Sequence, residues 1–150
     1  MNIVIKPFTE YYYEDVVKLF NEMKWNVPSY NEIRKVGFVA VDEDKVVGFV
    51  WCLVGNCKTA YIDYLMVSEE YRLKKNENRS IIGLMLSNAM FNYLFEAKIE
   101  KWICYTMPGE PGDSLGEFYD SIGFKSDPIN KRYWGDIYTF KNKLNQMTRG

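Results

Sequence analysis

The chain contains no histidine. That absence removes the side chain that titrates nearest neutral pH and the commonest metal ligand. Ser–His and Cys–His nucleophile pairs go with it, so acid–base chemistry falls to carboxylates, tyrosines, lysines, cysteines or water. Cysteine is scarce as well. Cys52, Cys57 and Cys104 are the three present, an odd number without a C-x-x-C pair, which fits a reducing compartment better than a disulfide framework. Lacking histidine and a cysteine cluster, the sequence argues against a zinc site, and no metal is expected. The formal net charge is −1, so nothing draws the chain as a whole to nucleic acid or to an anionic membrane. The longest apolar run, Val46 to Val54, is far too short to span a bilayer, and the opening Met-Asn-Ile-Val-Ile-Lys lacks the features of a signal peptide. The expected location is cytoplasmic, with no membrane partner.

What is present fits one ordinary domain, residues 1–150, large enough to close a single core. Aromatic residues make up 17% of the chain, with twelve tyrosines and four tryptophans. Such a share lines either a groove or simply a bulky core. Asn2 to Lys6 alternates Ile and Val and reads as a strand ended by Pro7, with Thr9 as N-cap of the helix that follows. From Tyr12 the apolar positions Val16, Leu19, Phe20 and Met23 fall at helical spacing. Trp25 to Pro28 breaks that helix, and Ser29 caps a short second one through Ile33.

Gly37 to Val41 and Lys45 to Val54 form a hairpin across Asp42-Glu43-Asp44, and Thr59 to Val67 adds the next strand. A long helix then carries Ile82, Leu86, Ala89, Tyr93 and Ala97 on one face. Trp102 to Thr106 is a buried-looking strand, and Asp113 or Ser114 caps a short helix stopped by Gly123. Phe124 begins a strand interrupted at Asp127-Pro128, and Asp136 to Lys141 is expected as the last strand. The order β-α-α-β-β-β-α-β-α-β-β implies an α+β (mixed α/β) fold.

Two segments stand out for their chemistry. In Ile62-Asp63-Tyr64-Leu65-Met66-Val67 a carboxylate sits mid-strand among apolar residues, which is costly unless it is paired or lines a cleft. Asp63 is therefore either a salt-bridged strand residue or, with histidine absent, the leading candidate for a general base. The second segment is Phe118-Tyr119-Asp120-Ser121-Ile122-Gly123-Phe124. Tyr119 is a phenol with a pKa of about 10, either a proton donor to a thiolate of similar basicity or a ring that fills space beside Phe118.

On its element order and on these motifs the chain resembles the GCN5-related N-acetyltransferase (GNAT) family. The four identities of Phe118-Tyr119-x-x-x-Gly123-Phe124 match the family's FYxxxGF ending, and Ile62 to Val67 followed by Glu70-Tyr71-Arg72 resembles its fourth strand. The resemblance implies a mostly antiparallel sheet of about seven strands flanked by about four helices. It also implies acetyl-CoA as acyl donor, a small-molecule or protein amine as acceptor, and direct transfer in a ternary complex. Tyr119 then protonates the departing thiolate, and Asp63 deprotonates the amine directly or through water. Met66 and Val67 act through their main chains on the acetyl carbonyl and the pantetheine arm.

The family's pyrophosphate loop reads R/Q-x-x-G-x-G/A, and Ile82-Gly83-Leu84-Met85-Leu86 aligns with its end. Counting back puts Ile81 at the middle glycine and Asn78 at the R/Q position, and Leu-Lys-Lys-Asn-Glu separates Arg72 from Asn78. The loop is thus about six residues longer than the family spacing and poor in glycine. Helix-start amides with Arg79 and Ser80 then hold phosphate, while Arg72, Lys74 and Lys75 supply charge. The alternative is a solvated basic loop above a helix start. Gly112 stands where the family places an asparagine, with Asp113 nearby.

For the acceptor the resemblance points to Trp25, Tyr30, Tyr133 and Trp134, with Glu32 or Asp136 for a cationic amine. The competing reading is a catalytically inactive member of the fold that serves as a binding or structural module. Nucleic-acid binding through residues 72–79 has no recognisable motif behind it. A homodimer stays open.

Overall fold

A computed structural model of the chain describes residues 2–33, 36–55, 58–72, 81–105, 125–127 and 132–149. Seven strands form one sheet: β1 (Ile3–Pro7), β2 (Val36–Asp42), β3 (Lys45–Val54), β4 (Thr59–Val67), β5 (Lys101–Tyr105), β6 (Lys125–Asp127) and β7 (Arg132–Asp136). Their spatial order is β1-β2-β3-β4-β5-β7-β6. Every neighbouring pair is antiparallel except β4 and β5, which run parallel. Four α-helices are described: α1 (Tyr13–Glu22), α2 (Tyr30–Ile33), α3 (Ile81–Glu96) and α4 (Ile137–Thr148). The mixed, mostly antiparallel sheet matches the expectation. The predicted helix beginning at Asp113 or Ser114 lies outside the described residues.

The sheet is covered on both faces, which is why β3 reads as an almost unbroken apolar run. On one face Val16, Leu19 and Phe20 of α1 and Ile33 of α2 pack on Val39, Val46, Phe49, Trp51 and Met66. On the other, Ile82, Leu86, Met90 and Leu94 of α3 join Ile137, Phe140 and Leu144 of α4 over Ala40, Val50, Cys52, Ala60 and Trp102. Helix α3 is apolar nearly all round because it meets the sheet on one side and α4 on another, with the Phe91 and Phe140 rings 4.1 Å apart.

Gly48 lets α3 come this close. A Cβ there lies 2.9 Å from Leu86 Cδ1, 3.0 Å from Ile82 Cγ2 and 3.1 Å from the Met66 carbonyl. The first turn of α3 thus rests on the sheet beside the end of β4.

Two expectations are corrected. Residues 137–141 are not a strand: β7 ends at Asp136 and α4 follows at once. The Asp136 carboxylate accepts from the Thr139 N–H at 2.8 Å and from its hydroxyl at 2.8 Å, an N-cap. Ile137, Phe140 and Leu144 then fall at i, i+3 and i+7, and that period outweighs the β-propensity of Ile137-Tyr138-Thr139. Thr9 does precede the first helical turn, but only its carbonyl takes part, accepting from the Tyr12 N–H at 3.0 Å, and its side chain makes no capping bond. Among the described residues no helix is long and apolar enough to cross a membrane.

Candidate active site

Strands β4 and β5 pair only from Thr59↔Lys101 to Ile62↔Cys104. Beyond that point β5 follows β7, its pairing running on to Tyr105↔Arg132, while β4 continues beside β3 to Val67. Among the described residues nothing pairs with β4 on its β5 side along residues 63–67, and this side is called the wedge. The Ser68 N–H bonds the Val47 carbonyl at 2.8 Å, and with Val67 opposite Gly48 this sets the phase of the ladder. Leu65 and Val67 occupy non-hydrogen-bonded sites, so their own N–H and C=O groups point away from β3 and into the wedge. Met66, opposite Phe49, has its main chain committed to β3, and its side chain is buried against α1. Leu65 is the residue the sequence reading passed over; strand parity, once the pairing partner of Val67 is known, identifies it. A cavity of about 10 Å³, enough for a single water, lies at the wedge among Ile62, Leu65, Ser87, Met90, Trp102 and Phe140.

At the mouth of the wedge β4 carries a bulge. Trp51 faces Tyr64 and Cys52 faces Ile62, leaving Asp63 as the extra residue. A bulge of this kind re-aims a side chain out of the regular alternation. Asp63 reaches solvent, and partial loss of water around it pushes its carboxyl above the ordinary carboxylate range. No salt bridge among the described residues involves it. Tyr64 beside it stacks on Trp51 with ring centroids 5.5 Å apart and planes 7° from parallel. Burial, then Asp63 and then Glu32, raise the Tyr64 phenol, so both carboxylates lie within electrostatic reach of that ring.

The aromatic wall continues onto the helices. Helix α1 ends in a Schellman turn: Lys24 takes φ 57°, its N–H bonds the Asn21 carbonyl at 3.1 Å, and the Trp25 N–H bonds the Phe20 carbonyl at 3.0 Å. The reversal brings the Trp25 ring to 5.9 Å from Tyr64. Tyr30 sits 6.0 Å from Phe8 and 5.9 Å from Tyr13, whose hydroxyl donates to the Pro28 carbonyl at 3.0 Å. Glu32 closes a capping box on α2, accepting from the Ser29 N–H at 2.6 Å and hydroxyl at 2.9 Å. These bonds, the backbone one first, hold its carboxyl below the ordinary range. Trp25, Tyr30 and Glu32 thus share a face with Asp63. Asp136 is instead occupied as the cap of α4, and the Thr139 N–H lowers its pKa.

On the donor side, β4 leads through Ser68 into a 3-10 turn, Glu69–Tyr71. This turn is anchored on both flanks. The Tyr71 hydroxyl donates to Asp42 at 2.9 Å, and Lys45 pairs with Glu70 at 2.8 Å. Arg72 Nε donates to the Val67 carbonyl at 2.8 Å, and its Nη2 reaches Met23 Sδ. Its guanidinium is therefore folded back against the wedge and α1. The first turn of α3 carries no carboxylate, so nothing there offsets the partial positive charge of its N-terminus. Ile82 is buried at Gly48, and Gly83 is half-buried beside it. Arg79, Ser80 and Tyr119 lie outside the described residues, as do the side chains of Tyr133 and Trp134. The backbones of the latter pair on β7 with Cys104 and Ile103, one strand beyond the wedge.

Comparison with known proteins adds the following. A family model described as the acetyltransferase (GNAT) family matches residues 2–124. Among solved structures, a GNAT-family acetyltransferase from Staphylococcus aureus Mu50 is similar at 16% identity, covering 91% of this chain and 99% of that one, with a TM-score of 0.71. Ard1 from Thermoplasma volcanium is similar at 18% identity, covering 91% and 98%, with a TM-score of 0.70. The PaiA N-acetyltransferase from Thermoplasma acidophilum, solved in complex with coenzyme A, shares 18% identity over 91% and 99% of the two chains, with a TM-score of 0.68. Curated protein sequences gave no significant match.

Proposed function

The chain belongs to the acetyltransferase (GNAT) family, and from that premise we propose direct acetyl transfer to a cationic amine across the wedge between β4 and β5. It is an acetyltransferase with acetyl-CoA as donor. The donor supplies an activated thioester. The described residues suit it: a stretch of β4 that pairs with none of them on its β5 side for the pantetheine arm, and beside it a first turn of α3 without a carboxylate for the phosphates. The observation that carries the reading is Asp63, the extra residue of a bulge and without an ion pair among the described residues, beside the outward-facing main chain of Leu65.

The described residues take their roles from where they stand, and Tyr119, Arg79 and Ser80 take theirs from the family resemblance. The Leu65 N–H polarises the acetyl carbonyl, the larger part of the catalysis in such transfers, and Val67 lines the arm. Trp25, Tyr30 and Glu32 hold the acceptor ammonium. Asp63 takes a proton from it, directly or through one water. The free amine then attacks the thioester carbon, the C–N bond forms as C–S breaks, Tyr119 gives its proton to the departing thiolate, and the second proton lost by the nitrogen returns through water to the Tyr119 phenolate. By the resemblance Arg72, Arg79 and Ser80, with the main chain at Ile82 and Gly83, are assigned to the phosphates. The described cysteines, Cys52 and Cys104, are buried and in no disulfide, and burial pushes Cys52 up to about 12. Neither serves as a covalent way-station, and both suit the cytoplasm.

Titration calorimetry with CoA and acetyl-CoA tests the donor half. Binding in the micromolar range is expected, and none at millimolar ligand overturns it. Release of free thiol from acetyl-CoA across a panel of primary amines tests the acceptor half. Turnover with neutral hydroxyl acceptors but not amines overturns that part.

A further inference from the structure

The last turn of α1 is fastened to the stretch that joins β4 to the donor loop. Ser68 is the buried polar residue of the described core, at 5% exposure. Its hydroxyl donates to both oxygens of the Glu22 carboxylate, at 3.2 and 3.4 Å. The Glu69 N–H donates to the same carboxylate. One residue further along α1, Met23 Sδ meets the Arg72 guanidinium, whose Nε holds the Val67 carbonyl. None of these bonds belongs to the sheet ladder or to the helix itself. They join two segments 46 and 47 residues apart in sequence, beside a cleft of about 170 Å³.

The clasp is placed to carry information. From Glu22 the chain passes through the Schellman turn at Lys24 straight to Trp25 and then to Tyr30 and Glu32, the acceptor wall. From Ser68 it passes to Arg72 and the base of the donor loop. A charged acceptor on two donors makes stronger bonds than a neutral pair, and both donors sit in the turn that follows β4. Any shift of residues 68–72 on donor binding must therefore move the end of α1 or break these bonds.

We propose that Glu22 is a positioning residue that couples residues 68–72, the turn that follows β4, to the acceptor wall, so that occupation of the donor site orders residues 23–33. This inference rests on the acetyl-CoA reading above. Glu22 touches neither substrate.

The test is CoA binding by calorimetry together with amide hydrogen exchange, on wild type and Glu22→Ala. In the wild type, CoA slows exchange in peptides covering 23–33 as well as at its own site. In Glu22→Ala that remote protection disappears at saturating CoA, and affinity falls about fivefold, the low end of coupling between sites. Glu22→Gln keeps an oxygen for Ser68 and for the Glu69 N–H and restores the remote protection. Ser68→Ala removes only the hydroxyl donor and serves if Glu22→Ala does not fold. It too loses the remote protection. A merely structural role lowers the melting temperature without separating the two regions. Remote protection that persists in both alanine variants, or that is missing from a wild type that binds CoA, overturns the coupling and leaves the donor reading intact. A wild type that binds no CoA overturns the donor reading first.

Discussion

The two faces of the sheet are built from different materials. Beneath α3 and α4 the core is mainly aliphatic, with Ile82, Leu86, Met90, Leu94, Ile137 and Leu144 closing on Val50, Cys52 and Ala60. Beneath α1 and α2 it is ringed by Phe8, Phe20, Phe49, Trp51, Tyr64, Trp25 and Tyr30. Set among the aliphatic side chains, the Phe91, Trp102 and Phe140 rings help line the thin cavity at the wedge. Rings give a stiff wall with polar edges, and one indole N–H on it, that of Trp51, is buried without a partner. The difference separates two tasks. One face holds a helix start in register with a strand end, and the other, in the proposed reading, presents a surface to a cation.

The strongest way to break this division is Asp63→Asn. If Asp63 is the base, kcat/KM falls about 10²- to 10⁴-fold, while CoA affinity, which belongs to the other face, stays within twofold. The sign of the stability change is equally specific. Burial raises the Asp63 pKa, so its contribution to stability is present below the unfolded value and is lost as pH rises through the folded one. At neutral pH the charged form costs stability, and Asp63→Asn does not lower the melting temperature. In the wild type the acid limb of kcat/KM lies above the ordinary carboxylate range, and activity is lost as pH falls through it. A variant that is both active and less stable makes Asp63 a structural residue.

How much of this the sequence reveals depends on how local each signal is. The hairpin of β2 and β3 and the α1 stripe of Val16, Leu19 and Phe20 are local periodicities, and they are legible. Met66 could not be separated from Leu65, because the parity of a strand is fixed by its partner's register, here the Ser68 to Val47 bond and the bulge at Asp63. Helix α4 was hidden because Ile137-Tyr138-Thr139 favours a strand when the Asp136 cap is not recognised. Glu22 carried no signal at all; its partners, Ser68 and Glu69, come from the far side of the chain.

Gly48→Ala strikes the donor face next. Its new Cβ meets Leu86, Ile82 and the Met66 carbonyl at or near 3 Å, so α3 must lift or the core must strain, at about 1–3 kcal/mol. CoA affinity falls with stability, whereas the Trp25–Tyr64 wall keeps its near-ultraviolet dichroism. Loss of the aromatic signal instead means that the two faces are not separable.

Acid titration gives a smaller effect. Asp42 accepts from the Asn2 N–H at 3.0 Å and from Tyr71, and these bonds, the backbone one first, hold its pKa below the usual range. Its contribution is present above the unfolded value of about 4 and is lost as pH falls through the folded one. Glu32 has the same sign. Asp42→Asn therefore flattens the fall of the melting temperature between about pH 5 and 3, and Glu32→Gln flattens it likewise from the acceptor side. An unchanged slope in both variants removes these carboxylates from the acid sensitivity.

The finest comparison uses a motif that both faces share. Helix α3 ends as α1 does: Lys98 has φ 59°, its N–H bonds the Phe95 carbonyl at 3.1 Å, and the Ile99 N–H bonds the Leu94 carbonyl at 2.9 Å. A lysine thus stands at each left-handed position where glycine is free of Cβ strain. Glycine relieves about 1 kcal/mol of that strain and gives back part of it as chain entropy, so each substitution stabilises by about 0.5 kcal/mol. The two gains are equal because the backbone geometry is the same. Their functional effects differ, because Lys98 leads only to the buried Ile99 and on to β5, whereas Lys24 leads to Trp25 on the acceptor wall. Lys98→Gly keeps KM for the amine, while Lys24→Gly loosens the approach to Trp25 and raises that KM about twofold, the scale of a few tenths of a kcal/mol. Equal KM values in the two glycine variants, with equal gains in melting temperature, place the acceptor elsewhere than on the α1 face.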